Sequence, residues 1–130
     1  EKYYQKIPYE NPKISIDNFK EAYFGKIFGT RSGDKGGCAN LGVWAKSQEA
    51  YSFLFDFLTV KKLKELLPDL EKFEIDRFEL PNIYSLNFYV HGILQDGVSS
   101  STRMDGQAKS LGEYLRAKKI NFPEQLLKQI

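Results

Sequence analysis

Arg31-Ser32-Gly33-Asp34-Lys35-Gly36-Gly37-Cys38-Ala39-Asn40 lies between two strand-like stretches, Tyr23-Phe24-Gly25-Lys26-Ile27-Phe28 and Leu41-Gly42-Val43-Trp44-Ala45. A connection between two strands needs only a couple of turn residues. This one carries three glycines, both charge signs and several hydrogen-bonding side chains. Read as strand, polar loop and strand, it puts two adjacent strands at the head of the domain. The first strand is expected between Asn18 and Thr30, the second around Asn40–Lys46.

Downstream, Ser47 is placed to cap a helix with Ala50, Phe53, Leu54, Phe57 and Leu58 at helical spacing. Thr59 caps a second helical piece with Leu63, Leu66 and Leu67, which stops before Pro68. Phe73–Leu80 alternates as a strand, Pro81-Asn82 turns the chain, and Leu86, Phe88 and Val90 alternate with Asn87, Tyr89 and His91. Residues 95–102 read as a loop or an edge strand. Asp105 caps a helix carrying Ala108, Leu111, Tyr114 and Leu115, with Lys118 and Lys119 in its last turn. Pro123 opens a short final helix. The order ββαββα predicts an α+β two-layer sandwich, an antiparallel-rich sheet with helices on one face, in the ferredoxin-like neighbourhood. The sheet face opposite the helices must then be covered or used in association.

The 130 residues fit one domain over 18–130, preceded by an extended arm over 1–17 with Tyr3, Tyr4, Tyr9, Pro8 and Pro12. That arm is either a loose terminus or a docking element for another subunit. Ten Phe and eight Tyr exceed what a two-layer core is expected to consume, so some should meet a partner. Nineteen basic against 17 acidic residues argue against nucleic-acid binding by charge. No apolar run is long enough to span a membrane. One Cys and one His make a metal site improbable, and no cofactor is implied. The single Cys fits a reducing intracellular compartment, mitochondrial matrix or cytoplasm. The chain begins at Glu1 rather than Met, so either a presequence was removed or the chain is trimmed.

Within 31–40, glycines permit close backbone approach, consecutive N–H groups can form an anion nest, and Arg31 and Lys35 add positive charge. The spacing matches neither a phosphate loop nor a dinucleotide fingerprint. The alternative is a tight connection locked by Asp34 and Asn40. Cys38 as a nucleophile would need a base, and the one candidate is His91, which is thin support. Asn87 and His91 are four apart in a strand and face one side, forming with Tyr89 a polar-aromatic stripe. It suits either a packed face or a pocket. Arg103, next to a helix start, suits an anion or a plain surface.

The motifs Arg31–Gly36, Ala39-Asn40-Leu41-Gly42-Val43, Glu79-Leu80-Pro81-Asn82, Leu86-Asn87-Phe88, His91-Gly92, and Asp105 with Gln107, Lys109, Leu111 and Gly112 together resemble the acyclic terpene utilisation protein A-like (AtuA-like) domain. The resemblance runs from about Ala22 to Arg116. It implies a ferredoxin-like fold and a loose association with catabolism of acyclic terpenes and their acyl-CoA derivatives, without defined catalytic residues. Cys38 stands where the resemblance leads one to expect a small polar residue such as Asn. The leading expectation is a non-catalytic accessory module of a larger assembly, self-associating or docking on other subunits by its arm and sheet face. The alternative is an accessory protein or enzyme binding an anionic acyl-carrier group. Its ligand residues would be Arg31, Ser32, Gly33, Asp34, Lys35, Gly36, Asn40, Asn87, His91 and Arg103.

Overall fold

The computed structural model describes residues 9–12, 18–35, 38–92 and 110–128. Four strands make one antiparallel sheet: β2 (Gly29–Lys35), β3 (Cys38–Trp44), β4 (Ile75–Leu80) and β5 (Ser85–Val90), in the order β2-β3-β5-β4. A separate antiparallel pair joins β1 (Phe19–Tyr23) to β6 (Lys119–Pro123). The helices are α1 (Gln48–Phe57), α2 (Val60–Leu66), α3 (residues 110–116) and α4 (Glu124–Leu127). The result is an α+β sandwich with antiparallel sheets, as the alternation of strand and helix patterns predicts.

Local chemistry sets the helix starts. Ser47 Oγ accepts from Ala50 N and Thr59 Oγ1 from Lys62 N, each satisfying an N–H that the first turn leaves orphaned. Pro68 lacks the N–H and steric freedom to continue α2, and a single 3-10 turn over Pro68–Leu70 leads toward β4. Tyr84 adopts a left-handed conformation (φ 54°) at the end of the Pro81–Ile83 turn, which reverses the chain into β5.

Alternation then divides the sheet into two faces. Ala39, Leu41 and Val43 of β3 pair with Val90, Phe88 and Leu86 of β5, all fully buried. They join one core with Leu54, Leu58 and Leu63 of α1, its C-cap and α2, and with Leu111 and Leu115 of α3. An aromatic knot of Phe24, Phe28, Phe53 and Phe122 locks the β1–β6 pair onto that core, with Phe28 to Phe122 ring centroids 5.8 Å apart. The intervening residues of the same strands, Cys38, Asn40, Trp44, Asn87 and Tyr89, are half-buried or exposed and form the second face.

Three expectations need correction. The polar stretch 31–40 is mostly strand, since β2 runs on to Lys35 and β3 starts at Cys38 in register with it. The Ser32 hydroxyl finds a tertiary partner in Gly112 N, so polarity did not make the stretch a loop. The region before it is two strands, β1 and β2, separated by a 3-10 turn at Phe24–Lys26. Lys119 does not close a helix but opens β6, whose pairing with β1 brings together segments about a hundred residues apart in the chain. The arm residues 1–8 and 13–17, the proposed cap Asp105 and the segment 93–109 lie outside the described residues. The described part of the arm packs on α1. Tyr9 lies 5.1 Å from the Phe55 ring, its hydroxyl accepts from Gln48 Nε2, and Asn11 Nδ2 donates to Ser52 O.

Candidate functional site

The second face of the four-stranded sheet collects most of the chain's unusual chemistry. Cross-strand register arranges it in rows. Trp44 pairs with Gly29 and Ser85, Gly42 with Arg31 and Asn87, and Asn40 with Gly33 and Tyr89. Phe78 pairs with Asn87 and Asp76 with Tyr89 on β4. At the Trp44 end the face is apolar. Trp44 and Phe78 are each 39% exposed, and Phe78 meets the Tyr89 ring edge-on at 5.6 Å. Gly29 lets the Trp44 indole lie flat on the sheet. A Cβ there would come within 2.3 Å of Cε2.

At the other end three side chains from three neighbouring strands meet. Cys38 Sγ on β3 lies 3.7 Å from His91 Nδ1, and His91 Nε2 lies 2.7 Å from Asp76 Oδ2 on β4. His91 follows β5, and its backbone N donates to Glu74 O, which extends the β4–β5 ladder by one step and fixes where the imidazole sits. As a carboxylate, Asp76 can only accept, so Nε2 carries a proton and the neutral ring presents the lone pair of Nδ1 to the thiol. Cys38 and Asp76 touch opposite nitrogens of one ring, so the three cannot share one metal ion. Among the described residues no group of three His, Cys, Asp or Glu is disposed to hold one.

The residues expected to line one ligand site separate. Arg31 is exposed on the second face, while Ser32 turns to the helical side, where its Oγ accepts from Gly112 N at 3.0 Å. Asp34 and Lys35 lie in β2 opposite Ala39 and Cys38. Gly36 and Arg103 lie outside the described residues. Gly33, Asn40, Asn87 and His91 do share the second face. Asn40 Oδ1 is buried without a hydrogen-bond partner among the described residues. Asp76 is the residue that sequence reasoning missed. Its signal was the alternation of Phe73–Leu80, which sets Asp76 on the face away from Ile75, but only the register of β4 with β5 brings it to His91.

Two further groups are perturbed on the helical side. Burial raises the Tyr51 phenol well above its ordinary range, with Tyr9 and Glu79 adding to the effect. Burial lowers the Arg77 guanidinium, against the opposing pull of Glu79. Arg77 Nη1 donates to Leu58 O at 2.9 Å, and its guanidinium lies 4.8 Å over Phe55. These bonds knit β4 to the end of α1 and lie on the face opposite Cys38.

No helix among the described residues is long and apolar enough to cross a membrane. A family model, the AtuA ferredoxin-like domain, matches residues 24–121, and so covers the sheet, both faces and the Cys38–His91–Asp76 cluster. No curated protein and no solved structure matches the chain.

Proposed function

We propose that this chain, which belongs to the AtuA ferredoxin-like domain family, works as an accessory interaction module that pairs with a second copy through the open face of its four-stranded sheet. The observation that carries the reading is the apolar end of that face. Trp44 and Phe78 stand exposed over Gly29 and beside Tyr89, while Ala39, Leu41, Val43, Leu86, Phe88 and Val90 of the opposite face are buried. Monomeric domains rarely leave aromatics grouped on an open sheet face without a use.

Charge placement favours a second copy as the occupant. Arg31 lies on β2 at one side of the sheet and Asp76 on β4 at the other, one row apart. A two-fold axis along the strands sets β2 of one copy over β4 of its partner. Each Arg31 then faces the side that carries Asp76, and Trp44 and Phe78 of the two copies gather at the same end of the strands. Residues 9–12 are engaged with α1 of their own chain, so the sheet face carries this reading rather than the described part of the arm.

Sedimentation equilibrium of the full chain tests it. A dimer at micromolar concentration that Phe78→Glu or Trp44→Glu converts to a monomer supports the reading. A wild-type monomer at about a hundred micromolar, or a dimer indifferent to both substitutions, overturns it. Binding of an anionic acyl-carrier group around Arg31–Asn40 has weaker support, because Arg31 and Ser32 point to opposite faces.

A further inference from the structure

The cluster at the far end of that face has a different character. We propose that Cys38, His91 and Asp76 form a nucleophilic thiol site that accepts the acyl group of an activated ester or thioester.

The geometry has the three parts such a site needs. The nucleophile and its base are in contact, Cys38 Sγ to His91 Nδ1 at 3.7 Å. A carboxylate holds the base, Asp76 Oδ2 to His91 Nε2 at 2.7 Å. Asp76 stands opposite Tyr89 in the ladder, one diagonal step from His91, and its carboxylate reaches the imidazole across that step. His91 continues the middle strand of three, Cys38 starts the strand on one side and Asp76 belongs to the strand on the other. The site is also open, since the side chains of His91 and Asp76 are 40% and 51% exposed and Cys38 is half-buried.

The chemistry closes on the chain's own groups. His91 Nδ1 takes the Cys38 proton as Sγ bonds to the substrate carbonyl carbon. The tetrahedral adduct collapses, the bond from carbon to the leaving oxygen or sulfur breaks, and the proton on Nδ1 passes to that departing atom. The products are S-acyl Cys38 and an alcohol or thiol, and no oxidant or reductant is consumed. Dithiol redox chemistry is the natural rival for a reactive cysteine. It needs a resolving thiol, and the chain has one Cys. Cys38 and His91 touch the reacting atoms, whereas Asp76 is a positioning residue that fixes the tautomer of His91. The cluster lies at the opposite end of the strands from Trp44 but on the same face, so its rates are read on Phe78→Glu as well, which keeps that face unpaired.

The test uses the full chain with p-nitrophenyl acetate and, separately, the acetyl thioester of a small thiol, read by mass spectrometry of intact and digested protein. One acetyl group on Cys38, appearing faster than on free cysteine at the same pH, is the expected result. His91→Gln should slow it by about 10²-fold, the lower end of what a positioned general base contributes, because the site is partly solvated. Asp76→Asn should slow it less, and Asp76→Glu should restore it, which a merely structural carboxylate would not do. Circular dichroism of each variant confirms that the fold is retained. Cys38 left unmodified by both reagents, acetylation no faster than free cysteine, or a rate unchanged in His91→Gln overturns the proposal. A sheet-face dimer that fails to form leaves these rates as they are, so the two readings are separately testable.

Discussion

Thr30 Oγ1 donates to the carbonyl of Gly112 at 2.9 Å, tying the first strand of the main sheet to α3 across 82 positions of sequence. The contact is close because Gly112 has no side chain. A Cβ there would lie 2.9 Å from Thr30 Oγ1 and 3.2 Å from Thr30 Cβ. Thr30 is buried and β-branched, so it has little room to step aside. Gly112→Ala should therefore destabilise by about 1–3 kcal/mol, the usual cost of overpacking, in spite of the better helix propensity of Ala. Thr30→Ala in the same chain should recover part of that loss. A urea-denaturation double-mutant cycle measures the coupling, and additive effects would contradict the close contact.

Tyr51 gives the fold an alkaline limit. Its hydroxyl is buried with no partner in good hydrogen-bonding geometry among the described residues, and the Leu80 backbone opposes its raised pKa only weakly. The folded state keeps the phenol protonated, whereas the unfolded chain releases that proton near pH 10. The group's contribution is thus fully present below about pH 10 and is lost as pH climbs from there toward its folded-state value. Tyr51→Phe should leave stability at pH 7 unchanged or slightly higher, since no bond is lost, and should flatten the fall above pH 10. Thermal denaturation between pH 7 and 11 checks both.

Arg77 holds the end of α1 by donating to Leu58 O while its guanidinium covers Phe55. Arg77→Ala removes the donor and uncovers the ring, with an expected cost of about 1–3 kcal/mol from the unpaired carbonyl. Arg77→Lys should recover little, because an ammonium cannot both stack on Phe55 and donate in the same plane. Equilibrium unfolding of the two variants separates charge from shape. A fully stable Arg77→Lys would show that charge alone suffices.

Ser47 accepts from Ala50 N at 3.1 Å. Ser47→Ala should cost about 1 kcal/mol and Ser47→Asp almost nothing, a ranking that chemical denaturation resolves.

What the sequence made legible was local. The Ser47 and Thr59 caps, the stop at Pro68, and the placing of Asn87 and His91 on one side of a strand all follow from neighbours within four residues. What stayed hidden depended on distant partners. Arg31–Lys35 looked like a loop because its polar side chains and glycines have no local reason to extend. Ser32 and Thr30 extend because α3 takes up their hydroxyls at Gly112. The strand at Lys119–Pro123 was masked by two lysines that suit a helix end equally well. The pairing of Cys38 with His91 has little support in the sequence, since one His in the chain says nothing about distance. Register across three strands supplied the distance, and Asp76 with it.

The clasp between β1 and β6 bears on how the chain acquires this structure. Phe19 pairs with Pro123, and Glu124 N donates to Asn18 O at 2.8 Å, so these bonds close the longest loop in the described fold. Closing so long a loop costs entropy before its contacts repay any of it. The hairpin of β2 and β3 and the ladder of β4 and β5 join residues close in sequence and are free to form first. On a ribosome, β1 must wait for nearly the whole domain to emerge before its partner strand exists. During that interval Phe28 and Phe53 lack the cover of Phe122. The aromatic knot that secures the finished domain is therefore the part of the nascent chain most exposed to misassociation, and shielding it falls to whatever meets the chain at the tunnel exit.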